Sequence, residues 1–482
     1  MRVRFAPSPT GGPHVGNIRT AIYDWLLARG SGGAFVIRVE DTDQGRKVEG
    51  AISELLDALS WLGIDWDEGP DVGGPHEPYV QSERLDKYHD AIATLIEKGA
   101  AYRCYCTPER LTEMREQQQR DKGQIGYDRL CKNLSEDERS ERKASGVQSV
   151  VRFAMPSEGE TRLDDIVRGE VTFENGLTDD FVMLKGDGFP TYHLANVVDD
   201  YHMEITHVLR AEEWLPSAPR HLQIYSALGW APPLYAHLPV ILAPDRSKLS
   251  KRHGATSIME YREQGYIAPA LVNFLTLLGW SLDDKTEIMS AAELMNVFSL
   301  DRVSRSGALF DADKLTWMNG HYIREMGDEE LADALLEYWE RYPVDGIPGS
   351  PDRGVVVKIA PLVRERLKTL ADAAPLVLFF FAHQVEYETA DLVQKKMDVP
   401  GTKVALDGAL AVLEALPDFD TGSIEAALRA LAEELGIKVG QLLGSIRVAT
   451  TGLRVSPPLF ETLDILGRDR CVSAIRAAIG RL

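Results

Sequence analysis

The chain has 482 residues, which predicts about three domains or more and ample sequence for several cores. Its 53 Lys and Arg residues against 74 Asp and Glu residues give a net charge of −21, which argues against DNA or other nucleic acid held by bulk charge. Four cysteines, no apolar signal region and no window near about 18 apolar residues predict a reducing cytoplasm and no membrane span.

The first elements predict a parallel sheet with its ligand site at the carboxyl ends of the strands. In chain order they are strand Arg2–Ala6, helix Ile18–Arg29 and strand Ala34–Val39. The loop from Pro7 to Asn17 holds three prolines and three glycines, with His14 beside the unpaired amides of the helix start. Glu40 follows the second strand. Such a stiff, sharply turned loop is typical of an anion-binding site.

Two generic phosphate motifs, G-x-G-x-x-G and G-x-x-x-x-G-K-[ST], are absent from this loop. The chain has instead His14-Val15-Gly16-Asn17 and, far along, Lys248-Leu249-Ser250-Lys251-Arg252. Either alone could be a helix cap or a solvated loop, but together and in this order they resemble the two signatures of class I aminoacyl-tRNA synthetases. An imidazole and helix amides can hold phosphates, and lysines can neutralise a pyrophosphate leaving group.

The similarity narrows to bacterial glutamyl-tRNA synthetases in several further motifs. They are Arg4-Phe5-Ala6-Pro7-Ser8-Pro9-Thr10-Gly11, Arg38-Val39-Glu40-Asp41-Thr42-Asp43, Asp65-Trp66-Asp67-Glu68-Gly69-Pro70, Pro190 to Asp200, and Leu209-Arg210-Ala211-Glu212-Glu213-Trp214-Leu215. The resemblance implies an α/β Rossmann-like catalytic domain with an inserted α/β module that binds the tRNA acceptor end, followed by an all-α C-terminal half. It also implies ATP with Mg²⁺, L-glutamate and tRNA(Glu) as substrates, a monomer, and activation that requires bound tRNA.

The resemblance assigns roles to individual residues. Catalytic candidates are His14, Lys248 and Lys251, and ATP-binding candidates are Pro9, Thr10, Gly11, His14, Gly16, Asn17, Ser250 and Lys251. Glutamate-binding candidates are Arg4 with Tyr192 for the side-chain carboxylate, Arg210 for the α-carboxylate, Ser8 with Glu40 for the ammonium group, and Ala6, Asn196 and Trp214 as walls.

Residue chemistry supports this pocket, because two arginines and one carboxylate complement a diacid that carries one ammonium group. The alternatives are surface or ion-paired arginines at Arg4 and Arg210, a helix cap at Glu40, and core aromatic residues at Tyr192 and Trp214. A glutamine amide would leave an arginine poorly paired, so selection by roughly 10⁴ to 10⁵ needs no editing domain.

The predicted domains follow the same resemblance. They are a catalytic domain at 1–100 and 190–245, an inserted acceptor-binding module at 101–189, a helical stem-contact domain at 246–325, and an anticodon-binding region at 326–482 with a break near 385. Within the insertion we expect strands at Ser149–Ala154, Glu170–Phe173 and Asp180–Leu184, and beyond it a strand at Ile205–Leu209.

Three of the four cysteines lie in the insertion, as Cys104-x-Cys106 and Cys131. Three thiols without a disulfide context indicate zinc. Some relatives close the site with a histidine two residues after the last cysteine, where this chain has Asn133. Tyr127 instead matches a C-x-C…Y-x-x-x-C variant, so Cys104, Cys106, Tyr127 and Cys131 are the expected zinc ligands. A metal-free relic is the alternative.

The C-terminal half has period 3.6 in its apolar residues, with helices expected near Val355–Phe380, Ala405–Leu416, Ser423–Leu435, Val439–Val448, Pro457–Leu466 and Val472–Ile479. A helical ending favours the glutamate enzyme over the glutamine enzyme of this subclass, which ends in β-barrels. Arg366 and Arg447 are the expected anticodon contacts, although exposed helix arginines are usually solvated. Whether tRNA(Gln) is also charged stays open.

Three other functions are alternatives. A truncated paralogue that glutamylates a modified tRNA base would lack the long helical half. A simple nucleotidylyltransferase would not need the pocket of Arg4, Glu40 and Arg210. A non-catalytic RNA-binding scaffold would not need the two signatures.

Overall fold

A computed structural model describes residues 1–46, 48–122 and 125–482, with the backbone alone at Lys251. The chain forms two compact units. Unit 1 comprises Met1–Glu260 and Leu271–Asp311, and unit 2 comprises Tyr261–Ala270 and Ala312–Leu482. Within the described residues, no helix combines the length and the apolar character that a membrane crossing requires.

The strands are short and all belong to unit 1. They are β1 Arg2–Phe5, β2 Ala34–Ile37, β3 Ala101–Cys104, β4 Val150–Phe153, β5 Glu160–Asp165, β6 Gly169–Glu174, β7 Val182–Leu184, β8 His207–Ala211, β9 Leu234–Leu238, β10 Ile241–Leu242 and β11 Ala308–Leu309.

The helices of the first part of the chain are interspersed with these strands. They are α1 Val15–Ser31, α2 Ala51–Trp61, α3 Leu85–Glu97, α4 Pro108–Arg120, α5 Glu136–Ala144, α6 Tyr192–His202, α7 Ala218–Leu228, α8 Ile258–Glu263, α9 Ala268–Leu277 and α10 Ala291–Val297.

The helices of the second part follow one another directly. They are α11 Ala312–Glu325, α12 Asp328–Arg341, α13 Arg353–Val363, α14 Ala374–Phe381, α15 Thr389–Leu392, α16 Val399–Ala415, α17 Thr421–Glu434, α18 Val439–Thr451, α19 Leu459–Leu466 and α20 Arg468–Arg481.

Parallel pairing joins the first strands of the chain, as the β-α-β order predicts. β1 pairs with β2 in parallel, from Arg2 opposite Ala34 to Phe5 opposite Ile37. β8 pairs with β9 in parallel, and the backbone N–H of Thr206, just before β8, donates to the carbonyl of Arg2 at 2.9 Å. The carboxyl ends of β1, β2 and β8 therefore meet at one edge.

α1 begins three residues earlier than its apolar pattern predicts. The His14 imidazole caps it, since Nδ1 accepts a hydrogen bond from the Gly16 N–H at 3.0 Å. Gly32 ends the helix with φ of +63°, in the left-handed region that favours glycine. α1 is buried on most of its surface, from Val15 to Ala28, so its apolar residues lack a clear periodicity.

Residues 101–184 contain two separate groups of strands. β3, β4 and β7 form an antiparallel sheet of order β3-β4-β7. The hairpin of β5 and β6 belongs to the other group, which has the order β6-β5-β9-β8, because Asp165 of β5 pairs in parallel with Tyr235 of β9. The sequence did not predict β5, although alternate residues of this strand are buried.

Unit 2 is helical and has a continuous apolar core. Leu331, Ile359, Leu406, Leu428 and Ile475 are among its fully buried residues. The range predicted as helical near residues 355–380 is divided between α13 and α14. Two short 3₁₀ turns separate them, and the Asp372 carboxylate accepts from the backbone N–H of Thr369 at 2.9 Å in the second.

Candidate active site

One cavity of about 820 Å³ lies at the carboxyl ends of β1, β2 and β8. It is lined by most of the residues that the sequence analysis singled out: Arg4, Ala6, Ser8, Pro9, Thr10, His14, Gly16, Asn17, Glu40, Tyr192, Asn196, Arg210, Trp214 and Lys248. Gly11 lies instead on a small adjoining hollow. Ser250 is next to the cavity in sequence but not on its surface, and the side chain of Lys251 lies outside the described residues.

The two signature loops are joined by backbone hydrogen bonds. The N–H of Val15 donates to the carbonyl of Thr256 at 2.9 Å, and the N–H of Ile258 donates to the carbonyl of Pro13 at 3.0 Å. The segment that follows the lysine loop therefore runs antiparallel to the histidine loop. This pairing brings His14 and Lys248 to one cavity although 234 positions separate them in the sequence.

The lysine loop is organised around His253, which the sequence analysis did not single out. Its Nδ1 lies 3.1 Å from both the N and the Oγ of Ser250, and its Nε2 lies 3.3 Å from the Oγ of Ser247. Lys248 forms an ion pair with Glu213, and both side chains are largely exposed. The lysine can therefore leave this pair at little cost when a more strongly charged group enters the cavity.

Arg4 is fully enclosed in an ion-pair network. Its Nε donates to Asp200 at 3.0 Å and its Nη1 to the carbonyl of Leu209 at 3.4 Å. Burial acts to lower the pKa of Arg4, but neighbouring carboxylates, chiefly that of Asp200, raise it above its ordinary value. The ion-paired arginine considered from the sequence is therefore present, and the same side chain also lines the cavity.

Arg38 completes this network and was missed as a site residue. It is fully buried, and its Nη1 lies 2.7 Å from Asp200 while its Nη2 lies 3.1 Å from Glu40. The Asn196 side-chain amide is oriented so that its oxygen accepts hydrogen bonds from Arg4 Nη2 at 3.3 Å and from Arg38 Nη2 at 3.2 Å. The spacing of Arg38 and Glu40, two residues apart after a strand, was the signal that could have indicated that both side chains share one face.

Arg210 has different surroundings from Arg4. Its Nε donates to His237 Nε2 at 2.9 Å, and its Nη1 lies 3.2 Å from the Tyr192 hydroxyl and 3.1 Å from His221 Nδ1. Its Nη2 is buried without a hydrogen-bond partner. Burial is the main cause that holds the pKa of His221 well below its ordinary value, and the positive charge of Arg210 is the next largest, so this ring is neutral. In the described part of the chain, no carboxylate forms an ion pair with Arg210.

Aromatic residues form one wall beside Arg210. The rings of Tyr192 and Trp214 have centroids 4.6 Å apart, and Trp214 is 40% exposed. Tyr192 was expected to act with Arg4, whereas its hydroxyl hydrogen-bonds to Arg210. A carboxylate bound to Arg210 would therefore also lie beside this hydroxyl.

Three thiols and a phenol form a second cluster, away from the cavity. The sulfur atoms of Cys104, Cys106 and Cys131 all lie within 4.8 Å of one another. The Tyr127 hydroxyl lies 3.3 Å from the sulfur of Cys104 and 3.5 Å from that of Cys106. Hydrogen bonding from Cys131 lowers the pKa of Cys104 to about 4. A hydrogen bond from Tyr127 acts in the same direction, and the two together outweigh burial, which raises the pKa. Asn133 is not part of the cluster.

The two candidate anticodon arginines converge in unit 2. Arg366 Nη1 donates to the carbonyl of Ser456 at 2.9 Å, and Arg447 Nη1 donates to the Ser456 hydroxyl at 2.6 Å. Burial and the charge of Arg366 lower the pKa of Arg447. The loop at Ser456 therefore holds two like charges close together.

Comparison with known families identifies the class. Residues 1–317 match the family model described as tRNA synthetases class I (E and Q), catalytic domain. Residues 330–479 match a model described as anticodon binding domain. The chain thus has the fold of a class I aminoacyl-tRNA synthetase.

Individual relatives narrow the class to one specificity. A glutamate–tRNA ligase of Dehalococcoides mccartyi is 52% identical over 482 residues, which are 100% of this chain and 98% of the relative. One from Moorella thermoacetica is 44% identical, over 99% of this chain and 98% of the relative. The crystal structure of a glutamate tRNA ligase from Elizabethkingia meningosepticum has a TM-score of 0.89 at 34% identity and covers 100% of this chain and 99% of that one. The chain belongs to the glutamate–tRNA ligase family.

Proposed function

We propose that the cavity binds ATP and L-glutamate side by side and couples them in two steps. A glutamate carboxylate oxygen attacks the α-phosphorus of ATP, which gives glutamyl-adenylate and releases pyrophosphate. A ribose hydroxyl at the 3′ end of tRNA(Glu) then attacks the mixed anhydride and releases AMP. Neither step needs a protein nucleophile, so positioning and charge stabilisation supply the catalysis.

The loop from Pro7 to Asn17 and the lysine loop are proposed to hold ATP. Phosphate is placed beside the His14 imidazole and at the positive end of the α1 dipole, next to Gly16 and Asn17, with Pro9, Thr10 and Gly11 shaping the turn. Lys248, Ser250 and Lys251 act on the pyrophosphate as it leaves. Magnesium enters as the ATP complex, where it neutralises phosphate charge. The backbone pairing of the two loops supports this arrangement.

The observation that carries the proposal is the Arg210 guanidinium, which lines the cavity and whose hydrogen-bond partners, His237, Tyr192 and His221, are all neutral. An ionic donor in this state favours a substrate carboxylate strongly. We assign the α-carboxylate of glutamate to Arg210, the side-chain carboxylate to Arg4, and the ammonium group to Glu40 with Ser8. The Tyr192 hydroxyl, expected beside Arg4, hydrogen-bonds to Arg210 and would lie near the α-carboxylate. Ala6, Asn196 and Trp214 line the space between them.

Zinc is proposed at the cysteine cluster. In a tetrahedral site with Zn–S bonds of about 2.3 Å, ligand atoms lie roughly 3.5–3.8 Å apart. The sulfurs of Cys106 and Cys131 are 3.5 Å apart, and the Tyr127 oxygen lies 3.5 Å from the sulfur of Cys106 and 3.3 Å from that of Cys104, which is slightly shorter than this range. The donor set of three thiols and one phenol therefore fits the ion, which would fix the segment 104–131.

The remaining assignments concern tRNA. We propose that the antiparallel β3-β4-β7 sheet and its neighbours within 101–189 receive the acceptor end, that 246–325 contacts the stem, and that 326–482 reads the anticodon. The two arginines at Ser456, Arg366 and Arg447, supply local positive charge in a chain of net charge −21. The functional unit is proposed to be a monomer.

The experiment that tests the function is ATP–pyrophosphate exchange with L-glutamate, with and without tRNA(Glu). We expect exchange that depends on glutamate and on tRNA. Exchange with glutamate in the absence of tRNA would contradict the requirement for bound tRNA. A lack of exchange under both conditions, in protein that binds ATP, would contradict the proposed activity and leave a nucleotide-binding role.

A further inference from the structure

A line of hydrogen bonds runs from Arg210 to a carboxylate that does not touch the cavity. Arg210 Nε donates to His237 Nε2 at 2.9 Å. His237 Nδ1 in turn lies 2.6 Å from Asp165 Oδ2. The three residues come from three neighbouring strands, β8, β9 and the end of β5, and the side chains of His237 and Asp165 are fully buried.

The geometry fixes the proton on this histidine. Because the Arg210 N–H points at Nε2, that atom must be the acceptor, and the ring proton must lie on Nδ1, where it is donated to Asp165. Burial, which outweighs the carboxylate, lowers the pKa of His237, so the ring is neutral. The hydrogen bond from His237 helps to hold the pKa of Asp165 below its ordinary value against burial, so Asp165 is a carboxylate.

We propose that His237 and Asp165 are positioning residues for glutamate binding. Asp165 selects the tautomer of His237, and His237 then orients the Arg210 guanidinium while leaving its charge uncompensated by direct contact. An aspartate in place of His237 would neutralise Arg210 by an ion pair, as Asp200 does at Arg4. The neutral imidazole instead holds the side chain and keeps its positive charge for the substrate carboxylate. This inference rests on the proposed role of Arg210.

Asp165 also has a structural role that complicates its own substitution. Its Oδ1 accepts from the N–H groups of Val167 at 3.0 Å and Arg168 at 2.8 Å, and its carboxylate accepts from the N–H of His237. It therefore stabilises the turn at which the β5–β6 hairpin joins the catalytic sheet. His237 is the cleaner position for a test.

Two substitutions of His237 separate its two hydrogen bonds. In His237→Gln, the side-chain amide reaches about as far as Nε2 and can still accept from Arg210. In His237→Asn, the amide reaches only about as far as Nδ1, so the contact with Asp165 can persist while the acceptor for Arg210 is lost. Steady-state pyrophosphate exchange with saturating tRNA(Glu) gives KM for glutamate and for ATP, and thermal unfolding gives stability.

We expect His237→Asn to raise KM for glutamate about tenfold or more, as for loss of a hydrogen bond to a charged group. KM for ATP should stay within about twofold, and His237→Gln should restore KM for glutamate to within about threefold of the parent protein. An unchanged KM for glutamate in His237→Asn would overturn the inference. So would a parallel rise in both KM values, or a His237→Gln protein as impaired as His237→Asn, because each indicates a structural role alone.

A third variant tests the glutamate-binding role of Arg210 separately from the positioning role of His237. Arg210→Lys should raise KM for glutamate by more than either histidine variant, since the single ammonium group of lysine cannot contact both His237 and a substrate carboxylate as the guanidinium can. If Arg210→Lys has a normal KM for glutamate, the role of Arg210 is wrong and the inference falls with it. If Arg210→Lys is impaired and His237→Asn is normal, only the positioning role is wrong.

Discussion

Arg4 and Arg210 carry the same charge but differ in what surrounds them. Arg4 is paired with Asp200, whose carboxylate also binds Arg38. Arg210 is surrounded by two imidazoles and a phenol. Removal of Arg4 would therefore disturb a buried ionic network as well as the substrate pocket, whereas removal of Arg210 mainly empties a binding position.

His193 extends these surroundings and gives stability a pH dependence. Its Nδ1 lies 3.1 Å from His221 Nε2, and burial, with Arg220 and Arg210, lowers its pKa to about 4. An unfolded histidine titrates near 6.5, so between about pH 6.5 and 4 the unfolded chain takes up a proton that the folded protein does not. Above about pH 6.5, His193 therefore does not change the unfolding free energy. As the pH falls below about 6.5, the unfolding free energy decreases.

His193→Asn should reduce that loss. Between pH 7.5 and 5.0, we expect the parent protein to lose about 2 kcal/mol more unfolding free energy than the variant. Urea unfolding at both pH values measures the difference. His89→Asn, at an exposed position on α3, is the control and should keep the pH dependence of the parent. An equal pH dependence in parent and His193→Asn would contradict the assigned state of His193.

Lys248 gives a prediction about the leaving group. Since its ion pair with Glu213 is exposed, Lys248→Ala should change stability by less than about 0.5 kcal/mol. Loss of charge at the pyrophosphate should lower kcat for exchange by about 10²-fold with little change in KM for glutamate. Arg246→Gln, a nearby exposed cation that does not line the cavity, is the matched control. Near-normal kcat in Lys248→Ala would count against the role.

At the level of the elements, α1 combines a structural and a chemical task in one residue. His14 has extended backbone angles, φ −77° and ψ 142°, and accepts from Gly16 N–H as the N-cap. It also lines the cavity. A histidine at this position could be explained by either task, so its substitution must separate them.

His14→Asn and His14→Ala make that separation. Asparagine is a favourable N-cap and should hold stability within about 0.5 kcal/mol, whereas alanine should cost about 1 kcal/mol. If the imidazole acts on phosphate, both variants should lose about 10²-fold or more in exchange rate. Urea unfolding and pyrophosphate exchange supply the two measurements. Normal exchange in His14→Asn would reduce His14 to a helix cap.

The side chains of the cysteine cluster bring together β3, a short 3₁₀ turn and the loop before that turn. Cys104 ends β3, Cys131 lies in a short 3₁₀ turn, and Tyr127 lies just before that turn. We expect about one zinc per chain in protein purified without chelator, measured by elemental analysis. Cys131→Ser should lose most of it, and the control Cys471→Ala, at a buried thiol in unit 2, should retain it. Metal-free parent protein would refute the site.

At the scale of the whole molecule, local motifs were predictable and long-range partners were not. The turn-rich loop, the strand ends and the two signatures lie in continuous stretches, so the sequence alone located the cavity lining. Asp165 and His237 are 72 residues apart, and Arg38 and Asp200 are 162 apart, and no spacing rule connects such pairs. β5 was missed because its pairing with β9 is decided by the tertiary fold.

The net charge of −21 is a property of the whole molecule. An acidic protein that binds two polyanions, ATP and tRNA, must concentrate its cations where they are used. Arg4, Arg210 and Lys248 line one cavity, Arg38 is buried in the ion-pair network of Glu40 and Asp200, and Arg366 and Arg447 meet at one loop of unit 2. The proposed selectivity for an amino acid with two carboxylates rests on the two arginines that line the cavity.

The ratio of kcat/KM for glutamate over glutamine, measured by tRNA-dependent pyrophosphate exchange, tests that selectivity most directly. A glutamine amide presents donors to guanidinium groups that need acceptors, so we predict a ratio of about 10⁴ or more. Arg4→Gln should reduce this ratio sharply by lowering glutamate use, because Arg4 is assigned to the side-chain carboxylate, the group at which the two amino acids differ. A ratio below about ten in the parent protein, or one that is unchanged by Arg4→Gln, would contradict the account.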